Sequence, residues 1–291
     1  MAAHSGDAQA MSDPGSRSLG NPFGVWEAAL GLVVGFLLSI VAVSVYAAAS
    51  HTSPSQLGVG GDIADFAGLW AGFVGSAIFA SRTRGLLSPL TSRRPDYQRP
   101  DSRRLDYQPS GSPPASTTAR GAFVEDYGLR LRLWPDLPLG LVLGVGSQYL
   151  LVPLLELPLQ PIVHNLNQQL GHPAQQLLNP VQYNTFSLVV LTILICVGSP
   201  LVEEIFFRGL LLRGLVGRFG HLGRRAGPAL SIVVTGLVFG LVHFERLQFL
   251  GLAGFGMLLA YVAYRTGRLG PTIIAHVAFN TTTIIAYVLQ H

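Results

Sequence analysis

Three short strings hold most of the side chains in this chain that could do chemistry. They are EEIFFR at 203–208, FGLVHF at 239–244 and HVAFN at 276–280. Glu203 and Glu204 are adjacent, so on a helix they point about 100° apart and cannot share one task. Glu204 and Arg208 stand four residues apart with the acid first, the better order for an intrahelical ion pair. Glu203 is left without a local partner, which suits a general base. His243 follows Phe239 by one turn, and Asn280 follows His276 by one turn, so each pair lies on one helix face. A single histidine at the end of an apolar helix is more often a core or interfacial residue. A Glu, a His and a His/Asn pair on three successive helices are the parts needed to activate water and hold an oxyanion.

The elements that must position these groups are membrane spans. Of the 291 residues 49% are hydrophobic and only 12% charged, and the mean hydropathy is positive, so a soluble core is not the first expectation. A span needs about 20 mainly apolar residues to cross about 30 Å of hydrocarbon. Candidates run over 25–49, 63–81, 137–157, 185–203, 228–243, 247–264 and 271–289. The expected fold is therefore an all-α, polytopic transmembrane bundle of about seven spans. Within it a charged group at mid-bilayer costs roughly 2.5 to 3.5 kcal/mol on insertion scales, so such groups face a protein interior or a wet cavity. Charges also commonly mark the end of a span, and the residues alone leave both readings of Glu203, Glu204 and Arg208 open.

The organisation reads as a disordered cytoplasmic head (1–24), two N-terminal transmembrane helices (25–81), an Arg/Pro-rich loop that is mostly disordered (82–136), and a bundle (137–291). The loop carries the echo RRPDYQ (93–98) and RRLDYQ (103–108). Its closing stretch leads along the interface into the third span, with Trp134 at headgroup depth. All 19 basic residues are Arg. Ten fall between Arg82 and Arg132 and five between Arg208 and Arg225, whereas the connections 50–62 and 158–184 hold none. The positive-inside rule then makes the Arg-rich connections and the N-terminus cytoplasmic, in a plasma membrane, with the C-terminus outside for seven spans. The basic balance is a topology signal, and no nucleic-acid partner is expected. The connection 158–184 should be an external loop with a short helix, and its His164 and His172 are not expected to be ligands. Cys196 is the single cysteine, which rules out an intramolecular disulfide. Glycine pairs at four-residue spacing, Gly31/Gly35, Gly68/Gly72, Gly140/Gly144 and Gly236/Gly240, would let helix backbones approach closely.

The order E-E-x-x-x-R, F-x-x-x-H, H-x-x-x-N resembles the CPBP family, which comprises type II CAAX prenyl endopeptidases and bacteriocin-processing or immunity-associated membrane proteins. Gly209, Arg213 and the lead YRTGRLGPTIIAH also look like bacterial members. The resemblance covers about 185–285. It implies an intramembrane endopeptidase acting on a peptide or membrane-protein substrate in the lipid bilayer. Glu203 would activate water with help from His243, His276 and Asn280 would hold the oxyanion, and Glu204 and Arg208 would brace the site. It further implies either zinc held by Glu203, His243 and His276, or a metal-free Glu/His scheme. The HExxH signature is missing. A non-enzymatic immunity or scaffold protein of the same fold, and a proton-coupled transporter, are the alternatives. One difficulty is geometric. His276 starts the last span near the cytoplasmic Arg268, and in an upright ladder it would lie far from His243.

Overall fold

The computed structural model describes residues 24–53, 56–83, 123–124, 127–179 and 184–290. The expected head and the greater part of the Arg/Pro-rich loop lie outside the described residues. The described ones form eight helices and no strand. They are α1 (Val25–Ser50), α2 (Gly58–Arg82), α3 (Leu133–Leu159), α4 (Leu166–Leu178), α5 (Thr185–Arg218), α6 (Ala226–Leu241), α7 (Phe249–Thr266) and α8 (Gly270–Gln290). Six of them are long and apolar enough to cross a membrane, and α6, with 16 residues, is a shorter apolar helix. The expectation of about seven spans agrees with that count, and α4 is the short helix of the connection 158–184.

The glycine pairs are the seams of this bundle. A Cβ on Gly68 in α2 would stand 2.5 Å from Ser39 Cα in α1. One on Gly140 in α3 would stand 2.6 Å from Ile274 Cβ in α8, and one on Gly236 in α6 would stand 2.6 Å from Met257 N in α7. These contacts are tighter than any side chain allows, so the helices meet backbone to backbone and dispersion replaces the hydrophobic drive that lipid does not supply. A hydrogen bond from the Ser39 hydroxyl to Asp65 adds a polar clasp to the α1/α2 pair.

Helix α5 departs most from expectation. The apolar run predicts a span ending at Glu203, but the helix continues to Arg218, 34 residues in all. Asn184 caps its start by accepting from Ser187 N at 3.1 Å. At about 1.5 Å per residue it is about 51 Å long, well beyond the hydrocarbon thickness, so the two carboxylates sit inside a helix. Its hydrogen bonding widens to the π pattern at Leu194–Gly198 and again at Glu204–Leu211. Pro200 lies between these turns and has no N–H to continue the ladder, one of the known causes of a local break.

Around α5 an aromatic cluster fills the bundle. Phe206, Phe207, Phe239 and Phe255 are fully buried. Phe207 meets Phe239 edge-on at 5.2 Å, and Phe255 stacks on Phe279 at 4.1 Å. At one end of the bundle Tyr127 is buried and donates to Ala77 O at 2.7 Å, and Leu269 N donates to Gly128 O at 2.9 Å. Arg268 pairs with the buried Asp136 at 2.6 Å. Gly267 stops α7 in the left-handed region at φ 66°, where glycine meets no Cβ penalty. The chain then re-enters the bundle as α8, with Pro271 in its first turn, where its missing N–H has no helical partner to lose.

Candidate active site

Glu204 is the anchor. Its side chain is fully buried, and its Oε1 accepts from Arg208 Nη1 at 2.7 Å and from His276 Nδ1 at 3.0 Å. Arg208 is equally buried. Its Nη2 donates to Gly256 O at 3.2 Å, and its guanidinium lies 4.5 Å over the Phe239 ring. Three helices, α5, α7 and α8, are thus pinned through one ion pair. Its charges are tolerated because each is matched by hydrogen bonds or by an aromatic face. The span-end reading of these charges is thereby corrected for Glu204 and Arg208, which face protein and not a membrane surface.

Glu203 is disposed differently. Its side chain keeps 14% of its exposure, and its Oε2 is buried with no hydrogen-bond partner among the described residues. That oxygen lies 3.9 Å from His276 Nε2, too far for a direct hydrogen bond. With Nδ1 turned to the Glu204 carboxylate, Nδ1 is the donor of that hydrogen bond, and in the neutral tautomer Nε2 is an acceptor. In that tautomer two acceptors face one another across the gap, and neither satisfies the other.

The remaining candidates flank this pair. His243 lies in the turn just past α6. Its Nδ1 is 2.7 Å from Phe239 O and its ring is 4.7 Å from the Phe239 ring. The other edge of Phe239 faces His276 at 5.6 Å, so this phenylalanine separates and aligns the two histidines. No hydrogen bond or ion pair joins His243 to Glu203, so the partner the structure gives Glu203 is His276, where the resemblance implied His243. Asn280 donates through Nδ2 to Ile195 O at 2.8 Å. Pro200, five residues beyond Ile195, has no N–H to offer that carbonyl, and the asparagine supplies a donor instead. The upright-ladder difficulty is resolved because the first turns of α8 pass beside the interior of α5. His276 thereby reaches Glu204 without having to lie at the depth of His243.

Sequence reasoning missed Gly256, Phe239 and Phe255 as the walls and acceptor around Arg208 and His276. The F-x-x-x-H string marked Phe239 only as a helical neighbour of His243. Nothing local marks Gly256 or Phe255.

The zinc reading asks Glu203, His243 and His276 to converge on one ion. His276 Nδ1 is already engaged by Glu204, and among the described residues no hydrogen bond or ion pair joins His243 to either of the other two. Among the described residues no group of three His, Cys, Asp or Glu side chains is placed to hold a metal. As arranged, these residues do not fit a zinc centre, and no step is derived through one.

Residues 185–282 match the family model described as type II CAAX prenyl endopeptidase Rce1-like. The Rce1-like segment takes in α5 to most of α8 and all six candidate residues. The resemblance read from the three strings is therefore the one the family model finds. A protein of Bacillus subtilis (strain 168) named "Putative membrane peptidase YdiL" is 27% identical over 111 residues, 38% of this chain. The chain spans about two fifths of that relative's length, 41%. No solved structure matches. With its apolar helices, the chain is a multi-pass membrane protein whose C-terminal third is Rce1-like.

Proposed function

We propose that the chain is an intramembrane endopeptidase that hydrolyses a peptide bond in or near the bilayer with water activated by Glu203. The observation that carries this reading is the gap of 3.9 Å between the buried, unpartnered Glu203 Oε2 and His276 Nε2, two acceptors when the histidine is neutral with its proton on Nδ1. A molecule that satisfies both must donate two protons from one atom, and water does this at hydrogen-bond distance from each. Water held in this way presents its remaining lone pairs to a substrate carbonyl.

In the proposed sequence the water oxygen bonds to the carbonyl carbon as Glu203 takes one of its protons. The carbonyl electrons move onto oxygen, giving a tetrahedral oxyanion. When the carbon–nitrogen bond breaks, Glu203 returns the proton to the leaving amine, and the products are a carboxylic acid and an amine. Glu204 fixes the tautomer and ring plane of His276, and Arg208 keeps Glu204 ionised as an acceptor. His243 has its Nδ1 engaged by Phe239 O, which leaves Nε2 for other work. With Asn280 it is assigned to the oxyanion or the leaving amine. The support is the resemblance of the Rce1-like segment together with this geometry.

The test is Glu203→Gln in purified full-length protein, with cleavage of a membrane-tethered peptide reporter as the readout. The glutamine keeps the shape and removes the base. Turnover should fall about 10²- to 10⁴-fold while thermal stability is retained. A scaffold would keep its cellular phenotype with Gln at 203, and cleavage at the wild-type rate would refute the role of Glu203.

A further inference from the structure

A second polar site lies outside the motif. Helices α3, α4, α7 and α8 enclose a cleft of about 320 Å³ at the end of the bundle away from the Arg-rich connections. Neither carboxylate of the motif lines it, nor does His243, His276 or Asn280. Its walls are mainly apolar, including Val152, Leu252, Phe279 and Ala286, with Gln175, Thr283 and Tyr287 among the polar residues. Gln248 Nε2 donates to Leu170 O at 2.8 Å and holds α4 against the start of α7, over the cleft.

Two acceptors interrupt these walls. Glu156 lines the cleft, is only 6% exposed, and receives no hydrogen bond or ion pair among the described residues. Gly251 leaves the room for it, since a Cβ there would stand 3.1 Å from Glu156 Oε1. Gln148 lines the same cleft, and its Oε1 is buried without a partner. A buried carboxylate and a buried carbonyl left unmatched are costly unless something brings donors to them. Both groups accept, so the complementary ligand donates at both places and is positive at the carboxylate. The two residues are eight apart on α3, about 12 Å along the axis, with apolar surface between. Glu156 sits three residues from the end of α3, and Gln148 lies about two turns further into the helix.

We propose that this cleft binds an elongated amphiphile whose primary ammonium pairs with Glu156 and whose apolar body, carrying an N–H, lies along Val152 and Phe279 towards Gln148. The site is independent of the peptidase reading. Monodansylcadaverine is a suitable probe, because it joins an ammonium to an aromatic sulfonamide N–H through five methylenes and brightens in apolar surroundings. Titrated against full-length protein in lipid nanodiscs, with empty nanodiscs subtracted, it should bind saturably. The N-pentyl dansylamide, identical but without the ammonium, should bind at least tenfold more weakly. Glu156→Gln should erase that difference, and Ala286→Leu should reduce the affinity for both probes by filling the cleft. Equal affinity of the two probes for the wild-type protein would overturn the proposal even if no variant can be purified. So would undiminished binding of the amine to a folded Glu156→Gln protein. If Glu203→Gln abolishes cleavage but leaves this binding intact, the two sites are separate, as argued.

Discussion

Replacing Arg208 by methionine keeps much of the side-chain volume and removes the charge. The variant leaves the Glu204 carboxyl at 0% side-chain exposure without its cation, with the hydrogen bond to His276 still in place. Three contacts go at once: the 2.7 Å pair, the 3.2 Å bond to Gly256 O and the 4.5 Å approach to Phe239. Breaking a buried pair by removing one partner typically costs about 3–5 kcal/mol, because the orphaned charge stays buried. At the ~2–4 °C per kcal/mol seen for domains of this size, Arg208→Met should lower the unfolding midpoint by about 6 °C or more. The double variant Glu204→Gln/Arg208→Met should regain most of that loss, since a buried ion pair replaced by neutral groups of similar volume is often close to neutral in stability. Arg208→Lys should fall between, because a point charge cannot span Glu204 and Gly256 O together. The assay is thermal unfolding of these four proteins and of Glu204→Gln in one detergent, followed by intrinsic tryptophan fluorescence, so that the two singles and the double close a mutant cycle for the coupling. If Arg208→Met unfolds at the wild-type temperature, or if the double variant is worse than the single one, the buried pair is not the clamp described.

Three further outcomes are expected. Asn280→Ala should destabilise the protein by about 1–3 kcal/mol by leaving Ile195 O without its donor, and Asn280→Asp should not restore it; unfolding midpoints of both variants check this. Gly140→Leu, which drives a side chain into Ile274, should part α3 from α8 and show as lost monodisperse protein in size-exclusion chromatography, whereas the uncrowded Gly146→Ala should not. Peptide cleavage should survive 1,10-phenanthroline, and elemental analysis of the active protein should show no stoichiometric zinc; loss of activity restored by added zinc would refute the metal-free scheme.

The membrane class, the helix count and the four glycine pairs were legible in the sequence because each depends on local quantities. Run length against bilayer thickness gives spans, and four-residue glycine spacing gives close approach on one helix face. The pairing of Glu204 with Arg208 was legible for the same reason, being a contact within one helix. What the residues could not specify was which carboxylate His276 would meet, since that depends on where α8 crosses α5. The π turns around Pro200 and the glycine approach of α3 to α8 set that crossing. They leave Glu204 Oε1 doubly engaged and Glu203 facing His276 across a gap. Asn280 shows the same limit: its type and spacing suited an oxyanion, and only the fold shows that one of its N–H groups also serves Ile195 O, a carbonyl that Pro200 cannot serve. Chemical identity and one-turn neighbours are written along the chain. Convergence between distant helices is settled only when backbones pack, because small shifts in depth and rotation decide which polar atoms end with a partner and which remain free to act.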